Sequence, residues 1–239
     1  TWLAVRERGP SAGARIFGPR GALARVLPGY EERPAQQELA DAAREVLSEG
    51  GTLLAEAGTG TGKTLAYLLP AVELGRRVVV STGTKNLPEQ LVTKDIPILA
   101  RALGRDLNVA VMKGRANYLC LLRFSSFAQA GSFRRLEEIP LFRAVEDWAP
   151  ATATGDRAEI EDLPDSVDFW REISAGSENC IGQSCPEFDA CWVTRMRQRA
   201  LEADIVVVNH HLLCADLEVK ESSYGAVIPE YDTLIVDEA

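Results

Sequence analysis

The sequence contains no long hydrophobic run. No uncharged stretch approaches the roughly 18 to 20 apolar residues that a membrane span requires, so the sequence offers no candidate membrane helix. The N-terminal stretch has arginines after a very short apolar patch, and it lacks the continuous apolar core and the cleavage pattern of a secretory signal. We therefore expect a cytoplasmic protein with no membrane partner.

Acidic residues also outnumber basic ones. The sequence has 26 lysines and arginines and 35 aspartates and glutamates, which gives a net charge of −9. A negative net charge argues against a protein that binds phosphate backbones over its whole surface. The charge is uneven, however, since Arg101–Pro150 has a local net charge of +3 and Ala151–Cys180 one of −6. A local basic surface is therefore compatible with the sequence but is not required by it.

The composition that remains is that of a soluble globular protein, with 46% hydrophobic and 26% charged residues in 239. A chain of this length can bury one large core, or one core with a smaller appended domain. It starts with Thr1 rather than methionine and stops at Ala239, directly after an apolar, strand-like run. We interpret both ends as cut from a longer protein.

The clearest chemical signal is the segment LLAEAGTGTGKTLAYLLPAV. An apolar lead-in at Thr52–Ala55 predicts a strand, and a glycine-rich turn follows it. Apolar residues then recur on one face of a predicted helix: Leu65, Leu68, Leu69 and Val72. Strand, turn and helix form the context of a phosphate-binding loop, in which backbone N–H groups and a helix N-terminus bind the anion.

The predicted nucleotide contacts in this loop are Ala57, Gly58, Thr59, Gly60, Thr61, Gly62, Lys63 and Thr64. Lys63 would reach the β- and γ-phosphates, and the Thr64 hydroxyl would bind Mg²⁺. In the segment YDTLIVDEA, the apolar run Leu234–Val236 predicts a buried strand that ends at Asp237 and Glu238. Asp237 would hold Mg²⁺ and Glu238 would polarise the attacking water, so Lys63, Asp237 and Glu238 are the predicted catalytic residues.

Two further apolar runs, Val78–Val80 and Ile205–Val208, predict buried strands, each followed by the start of a helix. Four strands that alternate with helical segments predict an α/β fold with a doubly wound, mostly parallel sheet. Ligands bind such sheets at the C-terminal edges of the strands, where the two acidic residues and the phosphate loop are expected.

Together these segments resemble the N-terminal part of a DinG-type ATP-dependent DNA helicase, in the XPD-like iron–sulfur group of superfamily 2. AEAGTGTGKT resembles motif I, although Ala57 stands where the usual pattern has glycine, and the terminal DEA resembles the start of a DEAH box. YEERPAQQELA resembles the adenine-reading Q motif, which implies that Arg33 and Gln36 read adenine and that the Tyr30 ring stacks on it.

Two more segments resemble this family. STGTKNLPEQL resembles motif Ia, and KGRANYLC resembles the segment that enters the family's iron–sulfur domain. The resemblance implies contacts with DNA at Thr82, Thr84, Gln90 and Arg115. It also implies a RecA-like P-loop motor domain at 1–109 and 204–239, interrupted at 110–203 by a small, mainly helical iron–sulfur cluster domain.

The resemblance further implies ATP as the nucleotide, single-stranded DNA as the track, and 5′ to 3′ unwinding in DNA repair or replication. Helicases of this family continue past the DEAH box into an arch domain and a second RecA-like domain that carries arginine fingers. We therefore expect this stretch alone to bind nucleotide weakly and not to unwind DNA.

Three of the five cysteines, Cys180, Cys185 and Cys191, lie within twelve residues, and 59 residues separate Cys120 from them. A cytoplasmic setting disfavours a structural disulfide. The spacings fit the close pairs of a zinc site poorly and suit a [4Fe–4S] cluster better, but spacing alone leaves both metals open. The resemblance implies the [4Fe–4S] cluster, with all four cysteines as ligands. Cys214 is left over, and we predict that it is a buried structural thiol.

Residues 110–203 show too few continuous apolar segments to predict a core, so we expect the cluster to replace one by closing a long loop. The aromatic and arginine side chains of this segment either form a platform for unpaired bases or make up a small core. Asn209 and His210 follow a predicted strand and are either structural hydrogen-bonding residues or part of the DNA face.

Two other functions remain compatible with these motifs. One is a non-catalytic module that binds single-stranded DNA or senses redox state, with vestigial nucleotide binding. The other is a zinc-binding ATPase with no connection to DNA.

Overall fold

The computed structural model describes residues 12–58, 60–83, 87–176, 179–221 and 226–238. The candidate contacts Thr59 and Thr84 lie outside these ranges. The helices within them are α1 (Ala12–Phe17), α2 (Ala22–Val26), α3 (Pro34–Glu49), α4 (Lys63–Glu73), α5 (Leu87–Gln90), α6 (Ile96–Leu103), α7 (Leu121–Ala130), α8 (Glu138–Trp148), α9 (Phe169–Ile173), α10 (Trp192–Glu202) and α11 (His210–Glu221). The strands are β1 (Val78–Thr82), β2 (Val109–Val111), β3 (Ile205–Asn209) and β4 (Thr233–Asp237).

The chain divides into two compact units. The first unit comprises the described residues of Thr1–Ala110 and Ala203–Ala239, and we call it the motor unit after the motor domain that the resemblance implies. The inserted unit is Val111–Glu202. In the motor unit, Asn108 and Asp204 lie beside the two points where the chain leaves and returns. The Asp204 amide donates to the Asn108 carbonyl at 2.8 Å, and the Asn108 amide donates to Asp204 Oδ2 at 2.8 Å. These bonds hold the two ends of the insertion together.

The four strands form one sheet in the order β2-β3-β1-β4, and β1 pairs in parallel with both β3 and β4. The α/β fold with a parallel sheet is therefore confirmed, as are strands at 78–80, 205–208 and 234–236. The prediction that 234–236 is buried is wrong, because Leu234 and Val236 of β4 are exposed. Valine and isoleucine fill β1 and β3 because β-branched side chains pack well on a pleated surface, and both strands are buried in the sheet. The parallel register places Thr82, Asn209 and Asp237 side by side at the C-terminal edge.

Helices α3 and α4 pack against each other beside the phosphate loop. The predicted apolar face of α4 is confirmed, because Leu65, Leu68, Leu69 and Val72 are all buried. Helix α3 begins at Pro34, whose fixed φ suits the first helical position, and it ends before Gly50, which has a φ of 83°. This packing fixes where the start of α4 lies.

The strand predicted at Thr52–Ala55 is wrong, because the structure assigns no strand to this segment. Leu54 there is 93% exposed. A cavity of about 810 Å³ is lined by Thr52–Ala55 and by Thr233–Asp237 of β4. A strand requires hydrogen bonds from a neighbour, and this segment lines the cavity beside β4 without pairing with it. The short strand β2, which the sequence did not predict, completes the sheet on the other side.

The inserted unit has a core of its own, so the expectation that a metal centre replaces a missing core is wrong. Four phenylalanine rings from separate helices and a loop pack with centroids 5.1 to 6.4 Å apart: Phe127, Phe133, Phe142 and Phe169. Phe142 and Phe169 are buried, as are Trp170 and Trp192, whereas Phe127 and Phe133 are half-buried. Because these side chains come from short, separated elements, no continuous apolar run in the sequence indicates this core.

Among the described residues, no helix has the length and apolar character that crossing a membrane would require.

Candidate nucleotide site and cysteine group

The phosphate loop leads directly into α4, which begins at Lys63. Gly60 and Gly62 have φ values of 74° and 80°, in the left-handed region that favours glycine. The Lys63 ammonium donates a hydrogen bond to the Ala57 carbonyl at 3.0 Å, and the Thr61 hydroxyl donates to the Gly58 carbonyl at 2.9 Å. The loop is therefore closed on itself by its own lysine and threonine.

Two residues of the segment that resembles a Q motif hold the backbone of this loop. Arg33 Nη1 donates to the Gly60 carbonyl at 2.5 Å, and Gln36 Nε2 donates to the Gly62 carbonyl at 2.9 Å. Gln36 is only 5% exposed, so the amide that binds the loop backbone is buried. The structure thus brings Arg33 and Gln36 to the phosphate loop, while adenine recognition by them stays a prediction.

Tyr30 is the third Q-motif candidate. Its hydroxyl donates to the Phe17 carbonyl at 2.7 Å, and burial, with Glu32 nearby, raises the pKa of the phenol. The Tyr30 hydroxyl therefore already has a hydrogen-bond partner within the motor unit. A stacking role for the ring stays a prediction.

Tyr67 contacts Asp237, one of the two predicted Mg²⁺ ligands. The Tyr67 hydroxyl donates to Asp237 Oδ2 at 2.7 Å. Thr64, the other predicted ligand, lies one helical turn before Tyr67 on α4. Lys63, Tyr67 and Asp237 all line the cavity of about 810 Å³. Sequence reasoning missed Tyr67, although its position one helical turn after Thr64 was a signal that could have found it.

Glu238 follows β4 in an unusual backbone conformation. Its φ is 62°, and no other non-glycine residue in the described ranges has a positive φ. The Glu238 amide donates to Asp237 Oδ1 at 3.0 Å, so both oxygens of the Asp237 carboxylate accept a hydrogen bond. A left-handed residue costs about 1–2 kcal/mol, and such positions are common where a side chain must be aimed at a site.

The predicted DNA contacts within the described ranges lie in different elements and differ in exposure. Thr82 is fully buried at the end of β1, whereas Gln90 is exposed at the end of α5, with its amide 3.3 Å from Asp95 Oδ2. Arg115 lies in a short 3₁₀ turn at the start of the inserted unit. Their contacts with DNA stay predictions.

Asn209 and His210 have structural partners. Asn209 Oδ1 accepts from the Leu212 amide at 2.8 Å and so caps α11. His210 Nδ1 lies 2.7 Å from the Ser81 hydroxyl, which joins α11 to β1. His210 Nε2 is buried without a hydrogen-bond partner. These contacts account for Asn209, and they leave one nitrogen of His210 unexplained.

The four predicted cluster ligands occupy one neighbourhood of the inserted unit, and none forms a disulfide. Burial raises the pKa of the Cys120 thiol, and the nearby Cys185 and Cys191 raise it further. Burial lowers the pKa of the Arg197 guanidinium, as does Arg115, while Cys180 and Cys191 oppose this shift. Across the described ranges, however, no three His, Cys, Asp or Glu side chains converge closely enough to hold a metal ion. The [4Fe–4S] cluster therefore stays a prediction.

Cys214 is exposed, so the prediction of a buried thiol is wrong. Helix α11 buries Leu213 and Asp216 instead. Adjacent residues on a helix point about 100° apart, so Cys214 turns away from the face that Leu213 presents to the core.

A family model described as DEAD/DEAH box helicase matches residues 33–118. Among curated relatives, ATP-dependent DNA helicase YoaA of Escherichia coli is 41% identical over 93% of this chain and 35% of the relative. ATP-dependent helicase DinG of Mycobacterium tuberculosis is 40% identical over 91% of this chain and 35% of the relative. The 3'-5' exonuclease DinG of Bacillus subtilis is 32% identical over 93% of this chain and 24% of the relative. The chain thus spans between a quarter and about a third of the length of these relatives.

Proposed function

Because the chain belongs to the DEAD/DEAH box helicases, we propose that it forms the ATP-binding part of an iron–sulfur DNA helicase that moves 5′ to 3′ on single-stranded DNA. The activity is proposed for a protein that contains this chain, since the chain spans only 35% of its helicase relatives. The observation that carries the proposal is that Lys63, Tyr67 and Asp237 line one cavity of about 810 Å³. A cavity of this size is within the range of small-molecule sites.

Each residue of the site has a defined task in ATP hydrolysis. The Lys63 ammonium, which now bonds the Ala57 carbonyl, would turn to the β- and γ-phosphates. Thr64 and Asp237 would hold Mg²⁺, which when bound neutralises charge on the phosphates. Glu238 would orient the attacking water, and its left-handed backbone sets the direction of its carboxylate.

The inserted unit fits an iron–sulfur cluster by the chemistry of its donors. Four thiols without disulfide partners share one neighbourhood with Arg115 and Arg197. Thiolates are the protein ligands of a [4Fe–4S] cluster, and nearby positive charge compensates their negative charge. The cluster would tie the segment before α7 to the segment before α10. Because the unit also has an aromatic core, its folding does not rest on the cluster alone.

The hydrolysis proposal is tested with Glu238→Gln in the full-length protein. Gln keeps the shape of the side chain but carries no charge and cannot deprotonate water, so we expect DNA-stimulated kcat for ATP to fall at least about 100-fold. The Kd for ATP should change little. Unwinding by the wild type, measured on duplexes with one tail, should require a 5′ tail.

Glu230→Gln serves as the control, because Glu230 is an exposed glutamate just before β4. It should retain full activity. A wild-type protein that binds single-stranded DNA without hydrolysing ATP would overturn the helicase proposal and support the non-catalytic module. Unwinding from a 3′ tail only would overturn the proposed polarity while leaving the ATPase in place.

A further inference from the structure

Tyr67 lies on α4, one helical turn beyond Thr64, and it reaches a residue 170 positions away in the chain. Its hydroxyl is 2.7 Å from Asp237 Oδ2, within the distance of a strong hydrogen bond to a carboxylate. The neighbouring residues Leu65, Ala66 and Leu68 are buried, so the backbone that carries the ring is anchored in the core. The Tyr67 hydroxyl is thus held at one oxygen of Asp237.

The direction of the hydrogen bond between Tyr67 and Asp237 follows from donor chemistry. An ionised carboxylate only accepts, so the phenol must donate its single hydrogen to Asp237. The Asp237 carboxylate therefore receives the phenol hydrogen and keeps its remaining lone pairs.

This hydrogen bond leaves oxygen lone pairs of Asp237 for a cation. Asp237 is held at both oxygens, by Tyr67 and by the Glu238 amide, so its carboxylate cannot rotate without losing a bond. Hard divalent cations such as Mg²⁺ bind oxygen ligands of this kind and demand near-ideal geometry.

We propose that Tyr67 is a positioning residue that orients Asp237 for the divalent cation of the bound nucleotide. The inference rests on the proposed nucleotide site and adds a residue to it. Tyr67 does not touch the reacting atoms in this role, and it acts only through Asp237.

The test is Tyr67→Phe in the full-length protein, which removes one oxygen and keeps the ring. We expect the Mg²⁺ concentration for half-maximal binding of a fluorescent ADP analogue to rise about 10-fold, as befits the loss of one charge-assisted hydrogen bond. Binding of the analogue in EDTA should be unchanged. Mn²⁺ affinity of the ADP complex, measured by electron paramagnetic resonance, should fall by a similar factor.

Tyr231→Phe is the matched control, because Tyr231 lies two residues before β4 and its ring packs on Lys220 rather than on Asp237. It should leave the Mg²⁺ dependence unchanged. An unchanged Mg²⁺ dependence in Tyr67→Phe would overturn the inference alone. Equal weakening with and without Mg²⁺ would also overturn it, since that would show a general structural role. If the affinity of the wild-type protein for the nucleotide did not depend on Mg²⁺, both the inference and the proposed function would be overturned.

Discussion

Two features of the structure favour glycine at position 62, namely its backbone conformation and the close approach of Gln36. Its φ of 80° is in the left-handed region, and a Cβ at this position would lie 2.3 Å from Gln36 Nε2. The Gln36 amide is itself fixed by its bond to the Gly62 carbonyl. An added methyl group would therefore displace the side chain that supports the loop.

We predict that Gly62→Ala weakens ATP binding at least about 10-fold, since it combines left-handed strain with loss of the Gln36 contact. Gly75→Ala is the control, because Gly75 has a φ of 67° but nothing within 4 Å of an added Cβ. That variant should lose about 1 kcal/mol of stability and no ATP affinity. Equal ATP affinities of the two variants, measured by titration calorimetry, would contradict the clash with Gln36.

The residues that sequence patterns identified are those defined by local spacing. The loop from Ala57 to Thr64 could be predicted because glycines, lysine and threonine occur at fixed positions before a helix. Tyr67 could not be assigned to Asp237, because the contact joins residues that only the sheet and the α3–α4 packing bring together. The exposure of Cys214 depended on the phase of α11, which an apolar stretch alone does not set.

Among the elements, strands buried on both faces were predictable and unpaired segments were not. The valine-rich runs of β1 and β3 require a buried sheet position whatever their neighbours are. Thr52–Ala55 has a similar composition, but its conformation depends on which strand lies beside it. Composition therefore identified apolar segments, while pairing decided which of them became strands.

One connection in the inserted unit depends on a single carboxylate. Glu159 accepts from Trp148 Nε1 at 3.0 Å and from the Thr152 hydroxyl at 2.6 Å, and Thr154 also donates to it. Partial burial works to raise the pKa of Glu159, but the hydrogen bonds from Thr152, Thr154 and Trp148 outweigh it and lower the pKa. The carboxylate thus ties the end of α8 to the turn that contains Glu159.

We predict that this connection is lost in acid. Because the pKa is lowered on folding, the stabilisation is complete above the ordinary value of 4.5 and disappears as the pH falls through the lowered value. The Trp148 indole N–H signal, observed by NMR in ¹⁵N-tryptophan protein, should titrate with a midpoint below 4.5. Glu159→Gln should abolish that titration. A titration that survives in the variant would assign it to another group.

At the scale of the whole molecule, the two units have separate cores and separate candidate ligands. The nucleotide residues all lie in the motor unit, and the four clustered cysteines all lie in the inserted unit. A ligand that binds only the folded form of a unit stabilises that unit. The two ligands should therefore protect different parts of the chain.

We predict that Cys191→Ser removes iron, sulfide and the brown colour, and that it speeds amide hydrogen exchange within residues 111–202. Mg²⁺ and ADP should slow exchange in the motor unit, with or without this substitution. Cys214→Ser should keep the metal, because Cys214 is exposed on α11 of the motor unit. Stoichiometric zinc in a colourless wild-type protein would contradict the cluster.

The hydrogen bonds between Asn108 and Asp204 bear on how such a protein can evolve. Because the two flanking residues are already tied together in the motor unit, a recombination event between them can add or remove a whole cassette of coding sequence without changing the order of the strands. The bonds that anchor the two ends of the insertion thus do not depend on the side chains of residues 111–202.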